Sequence, residues 1–417
     1  MSATTTRVPL RPWHFVLTFG LVSLFADMVY EGARSIIGPY LATLGATATV
    51  VGIAAGAGEF IGYGLRVVSG YLVRRSRHYW TWTILGYVLT VVSVPLIGAT
   101  NVLAPALLLY GTERLGKAVR SPAKDTLLSH ASTRTGRGSA FGVHQAMDQL
   151  GAMLGPLLLA GILSVHSGDY RLAFGVLAVP GVLVVGLLLC LRARVPDPAA
   201  YEVDETDAGP AEAGDAEVNA EAEARRARPG ASGGPALPAQ FWQYVAAVAV
   251  LSCGIASFPL LAFHAQTRGL MTDAQVPVLF ALAMGVDGLS GLVMGRVYDR
   301  RGPGVLLVVP VAACAAAVAF TDRAVLVWVG VAVWGVVNGV LDSTVKAVVT
   351  ELVGRDSRAV AFGWLAFVRG IGLLVAGAVL GVAYDRGVTA VVWLIVGANA
   401  LAMAGLVSVL RRMDRVA

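Results

Sequence analysis

Long apolar runs alternate with short polar connections along almost the whole chain. A helix needs about 20 mostly apolar residues to cross the roughly 30 Å hydrocarbon layer of a bilayer. The pattern therefore predicts an all-α membrane protein with twelve transmembrane helices. The predicted spans cover residues 13–44, 48–73, 79–99, 102–122, 139–165, 170–192, 241–268, 275–298, 303–321, 324–350, 358–384 and 388–410.

Composition supports a membrane protein and argues against several other classes. Hydrophobic residues make up 56% of the chain and charged residues only 14%, whereas soluble domains carry about a quarter charged residues. The net charge of +6 comes from short basic clusters between apolar runs, which is typical of cytoplasmic loops rather than of a nucleic-acid surface. The three cysteines lie singly, and no phosphate-binding loop or catalytic triad occurs. We therefore expect no enzyme activity, metal, cofactor or nucleic-acid partner.

The basic residues fall in every second connection, which predicts the orientation of the chain. Because arginine and lysine are enriched in cytoplasmic loops, both termini are predicted to be cytoplasmic, with the protein in the plasma membrane. The arginine-rich connections and the tail contain Arg74, Arg75, Arg77, Arg134, Arg137, Arg192, Arg194, Arg300, Arg301, Arg355, Arg358, Arg411, Arg412 and Arg415.

A polar segment divides the chain into two halves. Residues 196–238 carry ten acidic and three basic residues among Ala, Gly and Pro, and such a composition buries too little apolar surface to fold. The predicted organisation is a six-helix half at 1–195, an acidic cytoplasmic linker at 196–240 and a second six-helix half at 241–417. The linker is interpreted as a tether, with a regulatory or partner-binding role as the alternative.

The first apolar run contains three charged residues, Asp27, Glu31 and Arg34. A charge at the bilayer centre costs about 3 kcal/mol on insertion scales. The spacing i, i+4, i+7 places all three on one helical face, so they can face a protein interior or an aqueous cavity. This pattern indicates a pathway for a solute or for protons, although a permanent salt bridge would use the same residues.

The two halves share a local pattern. Ala140-Phe141-Gly142 is followed by a glycine nine residues after Gly142, and Ala361-Phe362-Gly363 by a glycine nine residues after Gly363. With the linker between two sets of six helices, this predicts a parallel structural repeat about an axis along the membrane normal.

One loop carries a pattern that resembles a known family. Gly295-Arg-Val-Tyr-Asp299-Arg300-Arg301-Gly302 is similar to the G-x-x-x-D-R-x-G loop of the major facilitator superfamily. The resemblance implies a gate in which Gly295 allows close helix approach while Asp299 and Arg300 form a switchable charge network. The equivalent first-half turn, with Gly70 and Arg75, has Arg74 in the position of the aspartate; membrane anchoring is the alternative role for both turns.

The fifth predicted helix carries a second resemblance. Gly142, Gly151, Gly155 and Pro156 follow most of a glycine pattern that resembles proton-coupled exporters of this superfamily. The final glycine pair of that pattern is replaced by Leu159 and Ala160. Tight helix packing would need the same small residues.

The fourth predicted helix supplies the third resemblance. Glu113, Arg114 and Gly116 resemble a region in which the superfamily links a buried arginine to proton transfer. We expect Arg114 to be the buried partner of Asp27 and Glu31. Lys117 and Arg120 are expected to extend toward the cytoplasm or to pair at a gate.

Further charged residues lie within predicted spans and are candidates for the same cavity. Glu59 and Arg66 share a face of the second helix, and His144 and Asp148 share a face of the fifth, where a packing role for the histidine is the alternative. Mutual pairing is the expected role of the second-half charges, which are Asp287, Asp342, Lys346 and Arg369.

The resemblance implies a twelve-helix secondary transporter with a substrate site between its halves. The favoured prediction is a monomeric proton-coupled antiporter that exports a small amphiphilic or cationic compound, with Asp27 and Glu31 as proton or substrate acids. The alternatives are proton-coupled transport of an anionic or zwitterionic metabolite and a non-transporting receptor or scaffold. The expected partners are the small-molecule substrate, protons and the lipid bilayer.

Overall fold

A computed structural model describes residues 10–132, 137–197, 237–354 and 357–413, and nearly all of these residues are helical. The helices of the first half are α1 (Pro12–Thr43), α2 (Ala48–Ser76), α3 (Tyr79–Ala99), α4 (Leu103–Ser132), α5 (Arg137–Val165) and α6 (Tyr170–Arg194). Those of the second half are α7 (Ala239–Thr267), α8 (Gln275–Arg301), α9 (302–320), α10 (Ala324–Leu352), α11 (Arg358–Arg386) and α12 (Val388–Met413).

Within these described ranges, ten helical stretches are long and apolar enough to cross a membrane, and one of them, Gln275–Phe320, contains both α8 and α9. Helix α4 is not among the ten, and it carries Glu113, Arg114, Lys117 and Arg120. The described residues contain no strands. The prediction of an all-α membrane protein is confirmed, and the predicted spans match the helices to within a few residues, except that α4 continues to Ser132.

Local sequence explains where several helices begin and end. Pro12 occupies the first turn of α1, where its missing N–H is not needed. Thr47 caps α2 by accepting a hydrogen bond from the Val50 amide. Gly302 ends α8 with φ of 70°, a backbone conformation that side chains disfavour, and so lets the chain turn directly into α9.

Helix α7 is interrupted at residues 254–257, between Cys253 and Phe258. Unwound backbone at membrane depth requires other hydrogen-bond partners. The Asn399 amide donates to the Gly254 carbonyl at 2.9 Å, and the Trp334 indole donates to the Ala256 carbonyl at 2.8 Å. The side chains of α10 and α12 therefore stabilise the break.

The two halves meet chiefly along three helix pairs, α1 with α7, α2 with α11 and α5 with α8. Glycine makes the α2–α11 contact possible. A Cβ on Gly52 or on Gly377 would lie closer than 3.0 Å to the backbone of the other helix. This packing brings the two halves into backbone contact over the first part of α2.

Hydrogen bonds also join the halves at the end of the bundle that carries the α1–α2 and α11–α12 connections, which we call the first-loop end. The Asp385 carboxylate of α11 accepts from the Ala48 amide at 3.1 Å and from the Thr49 amide at 3.0 Å. Asp273, between α7 and α8, accepts from the Ser167 hydroxyl at 3.0 Å and from the Tyr170 hydroxyl at 2.8 Å. Both carboxylates thus fasten one half to the other.

Some sequence-based expectations fall outside the described residues. Most of the predicted linker, residues 198–236, lies outside them, as do Arg134, Arg355 and Arg415.

Candidate functional site

Five of the predicted charged residues form one connected network between α1, α2 and α4. Lys117 of α4 is the sixth member of this network. In the first part of this network Arg34 lies between two carboxylates. Its guanidinium is 2.9 Å from Glu59 and 3.5 Å from Glu31. The Glu31 carboxylate is also 4.0 Å from the Lys117 ammonium. The charged face of α1 is therefore neutralised by its own arginine and by α4.

Arg114 completes this network from α4. Its side chain is fully buried and lies 2.9 Å from the Glu113 carboxylate and 3.8 Å from that of Glu59. The whole set, which we call the central network, has three carboxylates, two arginines and one lysine. Since burying a charge is costly unless it is paired, this balance explains how so many ionic groups fit between the helices. The members are Glu31, Arg34, Glu59, Glu113, Arg114 and Lys117.

A second group of polar residues joins α1, α4 and α5. His144 lies 3.1 Å from the Lys124 ammonium, 3.7 Å from the Asp148 carboxylate and 3.3 Å from the Ser23 hydroxyl. The Lys124 ammonium is also 3.9 Å from Asp148. A histidine held between an ammonium and a carboxylate is suited to exchange a proton.

Asp27 belongs with this second group. Asp27 is 7% exposed, and its side chain lies beside Gly151 of α5. The charged groups that interact electrostatically with its carboxylate include Asp148, Lys117, Lys124 and Glu31. No cation of the described chain lies within 4.0 Å of its carboxylate. We call Asp27, Lys124, His144 and Asp148 the proton cluster; it has two carboxylates for one permanent cation.

Arg120 lies beside the proton cluster and is 4% exposed. Its guanidinium lies over the rings of Tyr87 and Tyr30, at 4.5 and 5.2 Å from their centroids. It also donates a hydrogen bond to the Thr90 hydroxyl at 2.7 Å. Aromatic faces and a hydroxyl thus accommodate this cation inside the bundle.

The second half contributes fewer charges to the interface. Arg369 of α11 lies 3.1 Å from the Asp342 carboxylate of α10, as mutual pairing predicted. Asp287 of α8 is half-buried and has no ion-pair partner among the described residues. Lys346 is exposed and is likewise unpaired within the described part of the chain.

Two of the sequence-based expectations for these charges are wrong. Arg114 does not pair with Asp27 or Glu31, because Glu113 and Glu59 lie closer to its guanidinium. Of the two roles expected for Lys117 and Arg120, extension toward the cytoplasm is wrong, because Lys117 lies against Glu31 and Tyr30 and Arg120 is buried. Pairing at a gate stays a prediction. Spacing along one helix could not reveal partners that other helices supply.

The loop motif also differs from expectation. Asp299 and Arg300 are exposed and form no ion pair among the described residues, and a Cβ on Gly295 would meet no atom within 4 Å. Instead, the neighbouring Tyr298 donates a hydrogen bond to Glu351 at 2.6 Å. Among the described residues, the expected close helix approach and charge network at this turn are therefore absent.

In the first-half turn, the nearest contact that a Cβ on Gly70 would make is with Pro122 at 3.8 Å. Arg75 is exposed, and among the described residues its side chain donates a hydrogen bond only to the Tyr71 hydroxyl, at 3.5 Å. Both roles of this turn, gate and membrane anchor, stay predictions.

The glycine motif of α5 lies against α1. A Cβ on Gly151 would lie closer than 3.0 Å to the Leu24 carbonyl, and one on Gly155 would be as close to Met28. Pro156 lies inside α5, whereas Gly142 has open space around it. Two of the three glycines therefore allow the close contact that places Asp27 beside α5.

Sequence reasoning missed two residues of this arrangement, Lys124 and Asp385. Lys124 follows Arg120 by one helical turn, and that spacing could have placed it on the charged face of α4. Asp385 lies in Gly381-Val-Ala-Tyr-Asp385-Arg386, which repeats the Gly-x-x-Tyr-Asp-Arg string that begins at Gly295. This repeated string could have identified Asp385 from the sequence, although the two copies lie at opposite ends of the bundle.

The described residues contain no group of three or more His, Cys, Asp or Glu side chains that could hold a metal ion.

Comparison with known proteins adds the family context. Residues 19–377 match the model of the Major Facilitator Superfamily. An uncharacterized protein of Mycobacterium tuberculosis (strain ATCC 25618 / H37Rv) is 45% identical over 415 residues, which cover 99% of this chain and 96% of that protein. An uncharacterized MFS-type transporter of Methanocaldococcus jannaschii is 29% identical over 143 residues, or 34% of this chain and 36% of that protein.

Solved transporters share the fold at low sequence identity. A peptide transporter in complex with sulfate has a TM-score of 0.74 at 16% identity and covers 96% of this chain and 95% of its own. The nucleoside transporter NupG has a TM-score of 0.69 at 13% identity, and the match covers 95% of this chain and 98% of NupG. A bacterial homolog to the human lysosomal transporter Spinster, inward-facing and occupied, has a TM-score of 0.65 at 14% identity. The match covers 97% of this chain and 96% of that homolog.

Proposed function

Because the chain belongs to the major facilitator superfamily of membrane transporters, we propose that it is a proton-coupled antiporter that exports a small anionic or zwitterionic metabolite. It is a transporter rather than an enzyme. The proposal includes alternating access around a site between the halves, a position in the plasma membrane and cytoplasmic termini, as the basic connections predict.

The surroundings of Asp27 are the observation that carries proton coupling. Its buried carboxylate lies in a cluster with one more acid than permanent cation, and His144 and Asp148 lie within the same cluster. A carboxylate that is desolvated and lacks a close cation can take up a proton instead of remaining charged. Movement of α1 against α4 and α5 would change the distance to Lys124 and the access of water, and so load or release that proton.

The central network supports a separate role. Its three carboxylates are each within ion-pair distance of an arginine or lysine, so it is electrically balanced without a bound proton. We assign proton exchange to Asp27 and a structural or relay role to Glu31, Glu59 and Glu113. Glu31 stays a candidate because Lys117 lies only at the limit of pairing, 4.0 Å away.

Charges without partners favour a zwitterionic or anionic substrate. Among the described residues, Arg66 of α2 has no carboxylate partner and Asp287 of α8 has no cationic partner. These two residues belong to different halves. A substrate with an anionic and a cationic group would satisfy both, and an anion would satisfy Arg66 alone.

Asp287 also favours the second candidate, export of a small amphiphilic or cationic compound. Its half-buried carboxylate could hold a cation, and Tyr30 and Tyr63 could supply aromatic surface. The glycine motif that resembles exporters, with Gly151 and Gly155, is compatible with either substrate charge.

Transport into inverted membrane vesicles tests this proposal. A respiration-driven pH gradient is followed with a fluorescent pH probe while zwitterionic amino acids, mono- and dicarboxylates and lipophilic cations are added in turn. We expect an anionic or zwitterionic compound to discharge the gradient in wild type and not in Asp27→Asn, with a smaller effect of Glu31→Gln. Asp169→Asn is the control, because Asp169 is exposed and only caps a helix outside the clusters.

The outcomes separate the candidates. Discharge by lipophilic cations alone would replace the first substrate class with the second. If Asp27→Asn transports at the wild-type rate with the same dependence on the gradient, the assignment of the proton to Asp27 is wrong.

A further inference from the structure

We infer that Arg66 and Tyr63 of α2 together with Arg369 of α11 form the subsite that binds the anionic group of the substrate, a carboxylate or a similar oxyanion. The inference deepens the proposed function and rests on it, since it assumes that the interface between the halves is where substrate binds. It assigns a specific role to three residues of that interface.

Two guanidinium groups from different halves lie over one aromatic ring. The Arg66 guanidinium carbon is 5.2 Å from the centroid of the Tyr63 ring, and that of Arg369 is 5.4 Å from it. Arg66 and Tyr63 are three residues apart on α2 and so share a face. Gly370 packs against Phe60 and Tyr63, which brings the adjacent Arg369 alongside the ring.

The charges at this position are not balanced. Arg369 lies 3.1 Å from the Asp342 carboxylate. Arg66 has no acidic partner among the described residues, and its Nε is buried without a hydrogen-bond partner. Arg66 as a whole is half-buried, and its buried Nε is a free donor that an oxyanion could satisfy.

Neighbouring carboxylates are already engaged elsewhere. Glu59 precedes Arg66 by two helical turns on the same face of α2, and it lies within pairing distance of Arg34 and Arg114. Lys117, whose ammonium lies near Glu31, adds further positive charge within range of Arg66. An incoming anion therefore meets the cations Arg66, Arg369 and Lys117, and the Asp342 carboxylate beside them is paired with Arg369.

The subsite is accessible and its chemistry is selective. The Asp342 side chain is 60% exposed and that of Arg369 13%, so solvent reaches its second-half side. A guanidinium can donate two parallel hydrogen bonds to a planar oxyanion, and the Tyr63 hydroxyl can donate a third. Because Arg66 and Arg369 belong to different halves, one bound oxyanion would contact both.

Thermal unfolding of the purified protein in detergent tests the subsite directly. Succinate, sulfate, inorganic phosphate and glutamate are titrated at constant ionic strength, with chloride as the reference and tetraphenylphosphonium as the cationic probe. We expect at least one oxyanion to raise the Tm of wild type in a saturable manner. The pattern among the four probes distinguishes a carboxylate site from one for inorganic anions.

Variants connect that effect to the residues. Arg66→Gln should raise the half-saturating concentration about tenfold or more, the factor expected for losing a charge-assisted hydrogen bond. Arg66→Lys should recover part of the affinity, because it restores the charge without the bidentate geometry. Arg75→Gln, an exposed arginine of the same helix, is the control and should bind as wild type does.

Two results would overturn the inference: the absence of any saturable oxyanion effect in folded wild type, or an unchanged half-saturating concentration in Arg66→Gln. Asp27→Asn separates this failure from failure of the proposed function. If Asp27→Asn binds the oxyanion as wild type does but vesicles with the wild-type protein show no proton-coupled transport, the subsite holds and the coupling proposal falls. If transport is proton-coupled and Arg66→Gln has no effect on binding, only the subsite is wrong.

Discussion

The Asp385 carboxylate at the end of α11 caps the first turn of α2 by accepting hydrogen bonds from both the backbone amide and the hydroxyl of Thr49, at 3.0 and 2.6 Å. The first amides of a helix have no partners within the helix, and a nearby negative charge also interacts favourably with the helix dipole. A residue of the second half therefore completes a helix of the first half. The contact can exist only while the two halves are together at the first-loop end.

Asp385→Ala should weaken closure at that end. Loss of a helix cap costs about 1 kcal/mol, which corresponds to a roughly fivefold change in the ratio of closed to open conformations. Spin labels on cysteines at the exposed positions Thr43 and Thr389, in a background without native cysteines, report the distance across the end by pulsed electron resonance. We expect a larger population of long distances in the variant. Asp322→Ala, a 70% exposed acid of the same end, is the control, and equal distributions in the two variants would contradict the capping role.

Gly377→Ala should disrupt the α2–α11 contact. The added Cβ would lie closer than 3.0 Å to the Gly52 carbonyl, and backbone cannot rotate away as a flexible side chain can. We expect a clear loss of thermal stability or of transport in vesicles. Gly62→Ala on α2 is the matched control, because its Cβ meets no atom within 4 Å and alanine favours helix by up to about 1 kcal/mol. Equal behaviour of the two variants would show that the contact is dispensable.

Lys124→Met removes the permanent cation of the proton cluster. Its titratable neighbours are Asp27 of α1, Tyr87 of α3, Asp125 of α4, and His144 and Asp148 of α5. We expect substrate binding to persist while coupling fails, because Asp27 and Asp148 would face each other without the charge that Lys124 supplies. The measurement is the ratio of protons to substrate moved by reconstituted protein. Lys346→Met, an exposed lysine without an ion pair in the described part of the chain, should keep the wild-type ratio. A wild-type ratio of protons to substrate in Lys124→Met would show that Lys124 is not needed for coupling.

Asn399→Leu should destabilise the break in α7. The Asn399 amide donates to the Gly254 carbonyl at 2.9 Å and to the Ile395 carbonyl at 2.8 Å. A buried carbonyl left without its partner costs about 1–3 kcal/mol. We expect a lower Tm in detergent, with Asn338→Leu as the comparison, because Asn338 bonds only within its own helix, at the Trp334 carbonyl. An equal Tm for the two variants would mean that the break needs no support from α12.

The helices could be predicted from the sequence because the signal is local. A run of apolar residues long enough to cross hydrocarbon specifies a helix wherever it lands in the fold. The polar face of α1 was equally readable, since Asp27, Glu31 and Arg34 are neighbours on a helix whatever surrounds it. The glycines at 151 and 155 likewise predicted a close contact, which the structure places against α1.

Charge partners were decided only by the tertiary structure. Arg114 pairs with Glu59, 55 positions earlier in the chain, and the Thr49 amide bonds to Asp385, 336 positions later. Electrostatic pairing depends on the distance between two charges in space, and the spacing of residues along one helix gives no information about charges on other helices. The sequence by itself therefore determined which residues lie in the membrane and which of them are charged. The packing of the helices within each half decided which charges neutralise one another and which, such as Asp27 and Arg66, have no close partner among the described residues.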